Sequence, residues 1–172
     1  VKVLGSYNLP CLTYKYMAPG HNSALIDDDK MFLVYHQRFS TGNEGHELRV
    51  HQMLMNENGW PCVLPYEYTG ETVADGYKKD EVAGTYYMIK QDPNDNTSAV
   101  EYNAVALNDD GTLSGYLKGS WEMKDNSIYL SIKCGTATYQ GVICEMKDEA
   151  GTDCMAISLI GENNCSLLGV KY

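Results

Sequence analysis

No apolar run in this 172-residue chain approaches the roughly 20 residues that a membrane-spanning helix needs, so a helical membrane partner is not expected. Basic residues are few, 13 Lys and Arg against 23 Asp and Glu, and the net charge of -10 repels phosphate backbones. Nucleic acid is therefore excluded as a partner, while neutral ligands such as sugars are unaffected. No basic, apolar, small-residue leader is visible at the start. The six cysteines, at 11, 62, 134, 144, 154 and 165, form no C-x-x-C pair, which argues against a thiolate zinc site. Cys134, Cys144 and Cys154 fall in strand-like runs, where a free thiol behaves as a small hydrophobe, and reduced thiols are expected. There is no H-E-x-x-H pair, no G-x-S-x-G nucleophile elbow and no phosphate-binding glycine loop. Phe and Trp number two each, against 14 Tyr, a side chain that suits half-buried strands and sugar contacts alike.

Long 3.6-residue apolar periodicity is also missing, while turn residues recur about every ten positions, so the chain reads as all-β. A first hairpin is expected from short runs at 23–26 and 31–35, turning over Asp27-Asp28-Asp29-Lys30. A loop follows over 40–45, then an alternating strand over 47–55. Asn58-Gly59 is a strong hairpin signal, and Pro61 pushes the last short strand toward a sheet edge. A lone sheet of four strands has two faces to cover and needs neighbours. The polar, glycine-containing stretch 67–80 marks a boundary, giving a first unit at 1–70, a linker at 71–80 and a second unit at 81–172. In the second unit, runs at 82–89, 100–107, 112–116, 119–123, 127–132, 136–146, 155–160 and 167–172 predict about eight strands. A loop is expected over 92–97 and turns at Asp109-Asp110-Gly111 and Asp125-Asn126. Short antiparallel strands with tight turns predict a small barrel or sandwich.

Chemistry is sparse. The four histidines, 21, 36, 46 and 51, all lie in the first unit. His36 and His51 fall in strands and read as packed or hydrogen-bonded residues, and His46 reads as a solvated loop residue. Pro19-Gly20-His21-Asn22 places an imidazole and an amide at the mouth of a strand, where ligands collect but where a polar cap reads equally well. Arg38 and Arg49 sit at strand ends and could clamp a polar ligand or stand as surface charges. Abundant carboxylates show no local acid/base pair. The residues alone give a two-unit β protein and no reaction.

Several stretches nonetheless resemble the closing part of arabinanases of glycoside hydrolase family 43. They are Pro19-Gly20-His21-Asn22-Ser23-Ala24, Tyr35-His36-Gln37-Arg38-Phe39, Glu47-Leu48-Arg49-Val50-His51-Gln52-Met53 and Asn58-Gly59-Trp60-Pro61. The second unit is similar to the C-terminal accessory domain of the larger members, through Val82-Ala83-Gly84-Thr85-Tyr86, Leu107-Asn108-Asp109-Asp110-Gly111-Thr112, Gly119-Ser120-Trp121, Tyr139-Gln140-Gly141-Val142 and Leu168-Gly169-Val170-Lys171.

The resemblance implies an all-β fold: a four-stranded blade, the last of a five-bladed β-propeller, followed by a small antiparallel β-barrel accessory domain. It implies a parent that hydrolyses α-1,5-linked L-arabinofuranose chains (arabinan and arabino-oligosaccharides) with inversion, secreted or periplasmic. The family's catalytic carboxylates come from earlier blades, so this chain supplies none, and by itself it is expected to be inactive. The missing N-terminal blades, on the same polypeptide or a second chain, are the expected partner. His21 is implied as a metal-site residue at the propeller axis, at or near calcium, with Asn22 and Arg38 as candidates for substrate contact. The rival expectation is a non-catalytic carbohydrate-binding β-domain over 81–172, with Trp121 or tyrosines stacking on sugar.

Overall fold

The computed structural model of the chain describes residues 1–41, 45–95 and 98–172. The loops expected over 40–45 and 92–97 therefore lie partly outside the described residues. Four antiparallel strands, β1 (Tyr16–Asp27), β2 (Lys30–Phe39), β3 (His46–Met55) and β4 (Pro61–Val63), pair in chain order into one sheet. Pro61, with no N–H to donate, opens β4 on the sheet edge, as the sequence suggests. The first hairpin is longer than expected. Its turn is the pair Asp28-Asp29, both at positive φ (45° and 64°), and Asp27 pairs with Lys30. Two residues at positive φ match the right-handed twist of the flanking strands, and aspartate tolerates that conformation.

The polar stretch at 19–22 is not the mouth of β1 but its middle. Pairing with β2 slips twice, between Met17 and Gly20 and again between Gly20 and Ser23, and Ala18 and His21 each take positive φ. These irregularities absorb Pro19, which cannot donate to a ladder, and let the strand continue on either side.

After a short helix, α1 (Lys79–Val82), eight strands follow: β5 (Gly84–Gln91), β6 (Asn103–Leu107), β7 (Thr112–Gly115), β8 (Gly119–Met123), β9 (Tyr129–Cys134), β10 (Ala137–Lys147), β11 (Asp153–Gly161) and β12 (Ser166–Lys171). They close in the order β10-β11-β12-β5-β6-β7-β8-β9, so the barrel leaves no open edge. The helix was not legible as one. Val82, expected to begin a strand, instead ends a helical turn capped by Glu81, whose carboxylate accepts the Lys78 N–H at 2.6 Å.

Alternation along the strands fills the barrel from within. Tyr86, Val105, Trp121, Ile132, Ile143, Ile157 and Leu167 meet inside. Trp121 is only 3% exposed and its indole N–H donates to the Asn108 carbonyl at 2.8 Å. It is a core residue and is not available to stack on a sugar, which corrects that part of the rival expectation.

The outward residues of β10, β11, β12 and β5 are apolar too: Val142, Cys144, Ala156, Leu168, Val170 and Ile89. They pack against Tyr7, Leu9, Tyr16, Leu64 and Tyr66, from the N-terminal segment, the first strand of the sheet and the stretch after β4. This second core explains why β11 reads as a nearly unbroken apolar run, since its strand is buried on both faces. At about 1.5–3 kcal/mol for each large apolar side chain taken from water, a handful of such contacts rivals the net stability of a domain. The sheet thus finds a covering neighbour within its own chain.

Residues 1–15, to which the sequence assigns no element, form part of that join. Tyr7 bridges to Tyr16 and to Val100, and its buried hydroxyl donates to the Pro65 carbonyl at 2.7 Å. All six cysteines are free thiols. Burial pushes Cys62, Cys144 and Cys154 up to about 12, so these three are packing groups and not nucleophiles.

Candidate functional site

The irregular middle of β1 gathers a row of polar side chains. His21, turned by its positive φ, brings Nδ1 to 3.1 Å from Nδ1 of His36 on β2, with the rings 4.8 Å apart. Gly20 lies opposite His36 in the register, and a Cβ there would stand 3.2 Å from His36 Nε2. Glycine is what lets the imidazole lie against the strand. On the far side of His36 the ring of His46 lies 5.2 Å away, edge-on. His46 pairs with Arg38 across the β2–β3 ladder, and its Nε2 accepts the Arg38 Nε–H at 2.8 Å. Three adjacent strands therefore line up His21, His36 and His46 on one face, with Arg38 beside the last. Partial desolvation, then the charges of His21, His46 and Arg38, hold the His36 imidazole below its usual range.

The structure brings His21 and Arg38 to the same cluster, linked through His36 and His46. Asn22 goes elsewhere. It lines a cavity of about 140 Å³ with Leu33 and Tyr35, residues that alternate with His36 and so face the other side of the sheet. His21 and Asn22, expected together at a strand mouth, thus point to opposite faces of the sheet. His46, expected in a loop, is exposed but opens β3 and holds Arg38. His51 is packed, as expected: it is wholly buried, bonded to the Tyr35 hydroxyl at 3.1 Å and to the Leu64 carbonyl at 2.7 Å. Burial, opposed by that carbonyl and aided by Arg49, pushes its imidazole down to about 4. Arg49 is an internal brace. It ion-pairs with Glu47 at 2.8 Å, donates to the Tyr16 hydroxyl at 3.2 Å and lies 5.0 Å over the Phe39 ring.

Whether this cluster suits calcium is a question of donor type. Calcium takes about 6–8 oxygen ligands, and the nearest side-chain donors to His21 are imidazole nitrogens, with a guanidinium beyond them. Among the described residues no set of three or more His, Cys, Asp or Glu is gathered for a metal ion. The described residues do not make a calcium shell by themselves.

A four-stranded sheet fused over a common core to a closed eight-stranded barrel defines the class of fold. Residues 65–169 match the family model GH43_C, described as a C-terminal lipocalin-like domain, and the chain belongs to that family. Over 99% of its length it is 33% identical to the extracellular endo-α-(1→5)-L-arabinanase 2 of Bacillus subtilis (strain 168), of which it covers 37%. The extracellular endo-α-(1→5)-L-arabinanase of Thermotoga petrophila is 37% identical over 76% of the chain, which covers 28% of that protein. Among solved structures, the glycoside hydrolase family 43 protein YxiA from Bacillus licheniformis superposes with a TM-score of 0.93 at 32% identity, over 99% of this chain and 39% of that one. The endo-1,5-α-L-arabinanase from T. petrophila superposes at 0.88 and 29% identity, over 99% of this chain and 38% of that one. The chain thus spans less than half the length of these relatives.

Proposed function

We propose that this chain is the C-terminal part of a glycoside hydrolase that cleaves α-1,5-linked L-arabinofuranose chains with inversion. One observation carries the reading: the match to an extracellular endo-α-(1→5)-L-arabinanase runs along 99% of the chain, through sheet and barrel alike. In this reading the sheet is the closing blade of a five-bladed propeller and the barrel is its accessory domain, in an exported protein. Inversion needs one carboxylic acid to protonate the leaving oxygen and one carboxylate to activate water, about 6.5–9.5 Å apart. Both belong to blades outside residues 1–172. His21, on the irregular edge strand, is the residue this chain offers toward the propeller axis. A calcium ion bound there would take His21 as one ligand, with its oxygen donors supplied by water and the rest of the enzyme. Arg38 and Asn22 remain candidates for substrate contact, from opposite faces of the sheet.

The test is hydrolysis of linear α-1,5-arabinan by the complete enzyme, followed by product anomer. Release of β-configured products supports the reading, since inversion turns the α-linkage over. Retained α-products, or no turnover of arabinan beside turnover of another glycan, rejects it.

A further inference from the structure

The barrel interior is filled by Trp121, Ile132, Ile143 and Leu167, and Val82 of α1 packs into the same core. A cavity of about 810 Å³ lies instead on the barrel rim, where β10 ends, β11 begins and β12 ends. That volume is within the roughly 300–1,000 Å³ of small-molecule sites. Residues 69–71, between the sheet and α1, supply a further wall. Glu71 fixes them in place. Its carboxylate accepts the Thr69 N–H at 2.9 Å and the Thr69 hydroxyl at 2.6 Å, and the Lys147 N–H of β10 at 3.4 Å.

The lining selects the ligand. Tyr172 borders the groove and is 51% exposed, yet its hydroxyl lies 3.2 Å from that of Tyr66 and donates to Cys11 Sγ at 3.5 Å. An aromatic ring tethered at its polar tip and open on a face is a ready platform for the apolar side of a sugar. Glu145 of β10 is exposed in the same groove, and a carboxylate accepts several hydroxyl hydrogens. Both ammonium groups are engaged: Lys147 pairs with Asp153 at 2.6 Å, and Lys171 donates to the Glu81 and Ala83 carbonyls at 2.5 and 2.8 Å. With Glu71, Glu81, Glu145 and Asp153 against these two cations, the groove disfavours an anion. We propose that it binds a neutral oligosaccharide, a linear α-1,5-arabino-oligosaccharide, with Tyr172 stacking on a sugar ring and Glu145 accepting from hydroxyls. The choice of arabinan rests on the reading proposed above, whereas the preference for a neutral, hydroxyl-rich ligand rests on the groove itself. Because residues 69–71 supply a wall, the site differs from a free-standing barrel over 81–172.

The experiment is calorimetric titration of a linear α-1,5-arabino-oligosaccharide, and separately of an oligogalacturonate, into the full chain. The arabino-oligosaccharide should bind saturably at one site, and the oligogalacturonate at least about tenfold more weakly. Tyr172→Ala should weaken binding at least about tenfold and Glu145→Gln at least about threefold. Tyr172→Phe, which keeps the ring, should stay within about threefold of the parent. Tyr116→Ala, at an exposed tyrosine outside the groove, should change affinity less than about twofold. Absence of saturable binding overturns the proposal, as does binding untouched by Tyr172→Ala and Glu145→Gln. Oligogalacturonate binding as tight as that of the neutral sugar overturns it too. If Tyr172→Ala fails to fold, Glu145→Gln and Tyr172→Phe still decide. Hydrolysis of arabinan by the complete enzyme beside no binding here rejects this inference and leaves the proposed function standing.

Discussion

The Tyr16 hydroxyl, on the first strand of the sheet, donates a 2.5 Å hydrogen bond to Glu149 in the turn between β10 and β11 of the barrel. Arg49 of β3 donates to the same oxygen, so one buried phenol ties both units to a charge network. A hydrogen bond to a charged group is worth about 1.5–3 kcal/mol. Tyr16→Phe should lower stability to urea by about 2 kcal/mol, with sheet and barrel still unfolding in one transition. Two separated transitions in the parent chain would show that the second core does not couple them.

The same core bears on the rival reading of a free-standing sugar-binding barrel. Removing residues 1–80 uncovers Ile89, Val142, Cys144, Ala156, Leu168 and Val170 together. The remaining barrel should self-associate in size-exclusion chromatography with light scattering. A soluble monomer of 81–172 that retains arabinan in affinity electrophoresis would favour the rival.

Trp121 offers a complementary check. As a barrel-core side chain it should cost about 3–5 kcal/mol when cut to alanine. Trp121→Phe, which keeps most of the packing, should leave any carbohydrate affinity of the chain unchanged.

His51 gives the chain a pH dependence whose sign follows from burial. Its imidazole sits near 4 when folded and near 6.5 when unfolded, so between those values the unfolded chain binds the extra proton. Its contribution to stability is intact above about 6.5, falls with pH, and is spent by about 4, a loss of about 3 kcal/mol. The difference in unfolding free energy between the parent and His51→Gln should shrink over that window. A difference that is constant from pH 7 to pH 4 would contradict the buried neutral imidazole.

Much of this was legible in the chain. The strand count of the barrel followed from turn signals such as Asp109-Asp110-Gly111, and the edge position of β4 from Pro61. The helix at 79–82 escaped because four residues carry no periodicity, and its cap lies in a Lys78–Glu81 contact that only geometry reveals. The covering of the sheet by the barrel escaped because residues 1–15 join it through irregular bonds and not through an alternating strand. The His21–His36 contact, by contrast, had a signal. With the turn at Asp28-Asp29, counting back along an unslipped hairpin sets position 21 across from position 36. A four-residue turn over 27–30 gives the same register, which the two slips around Gly20 then adjust.

In the proposed reading, this chain completes an arabinan hydrolase without carrying its acid or base. Reducing-end release from linear α-1,5-arabinan should be measured side by side for the complete enzyme and for residues 1–172. Turnover is expected from the complete enzyme, and none above the buffer blank from residues 1–172. Turnover by residues 1–172 that disappears when one of their own carboxylates is changed to the amide would contradict it.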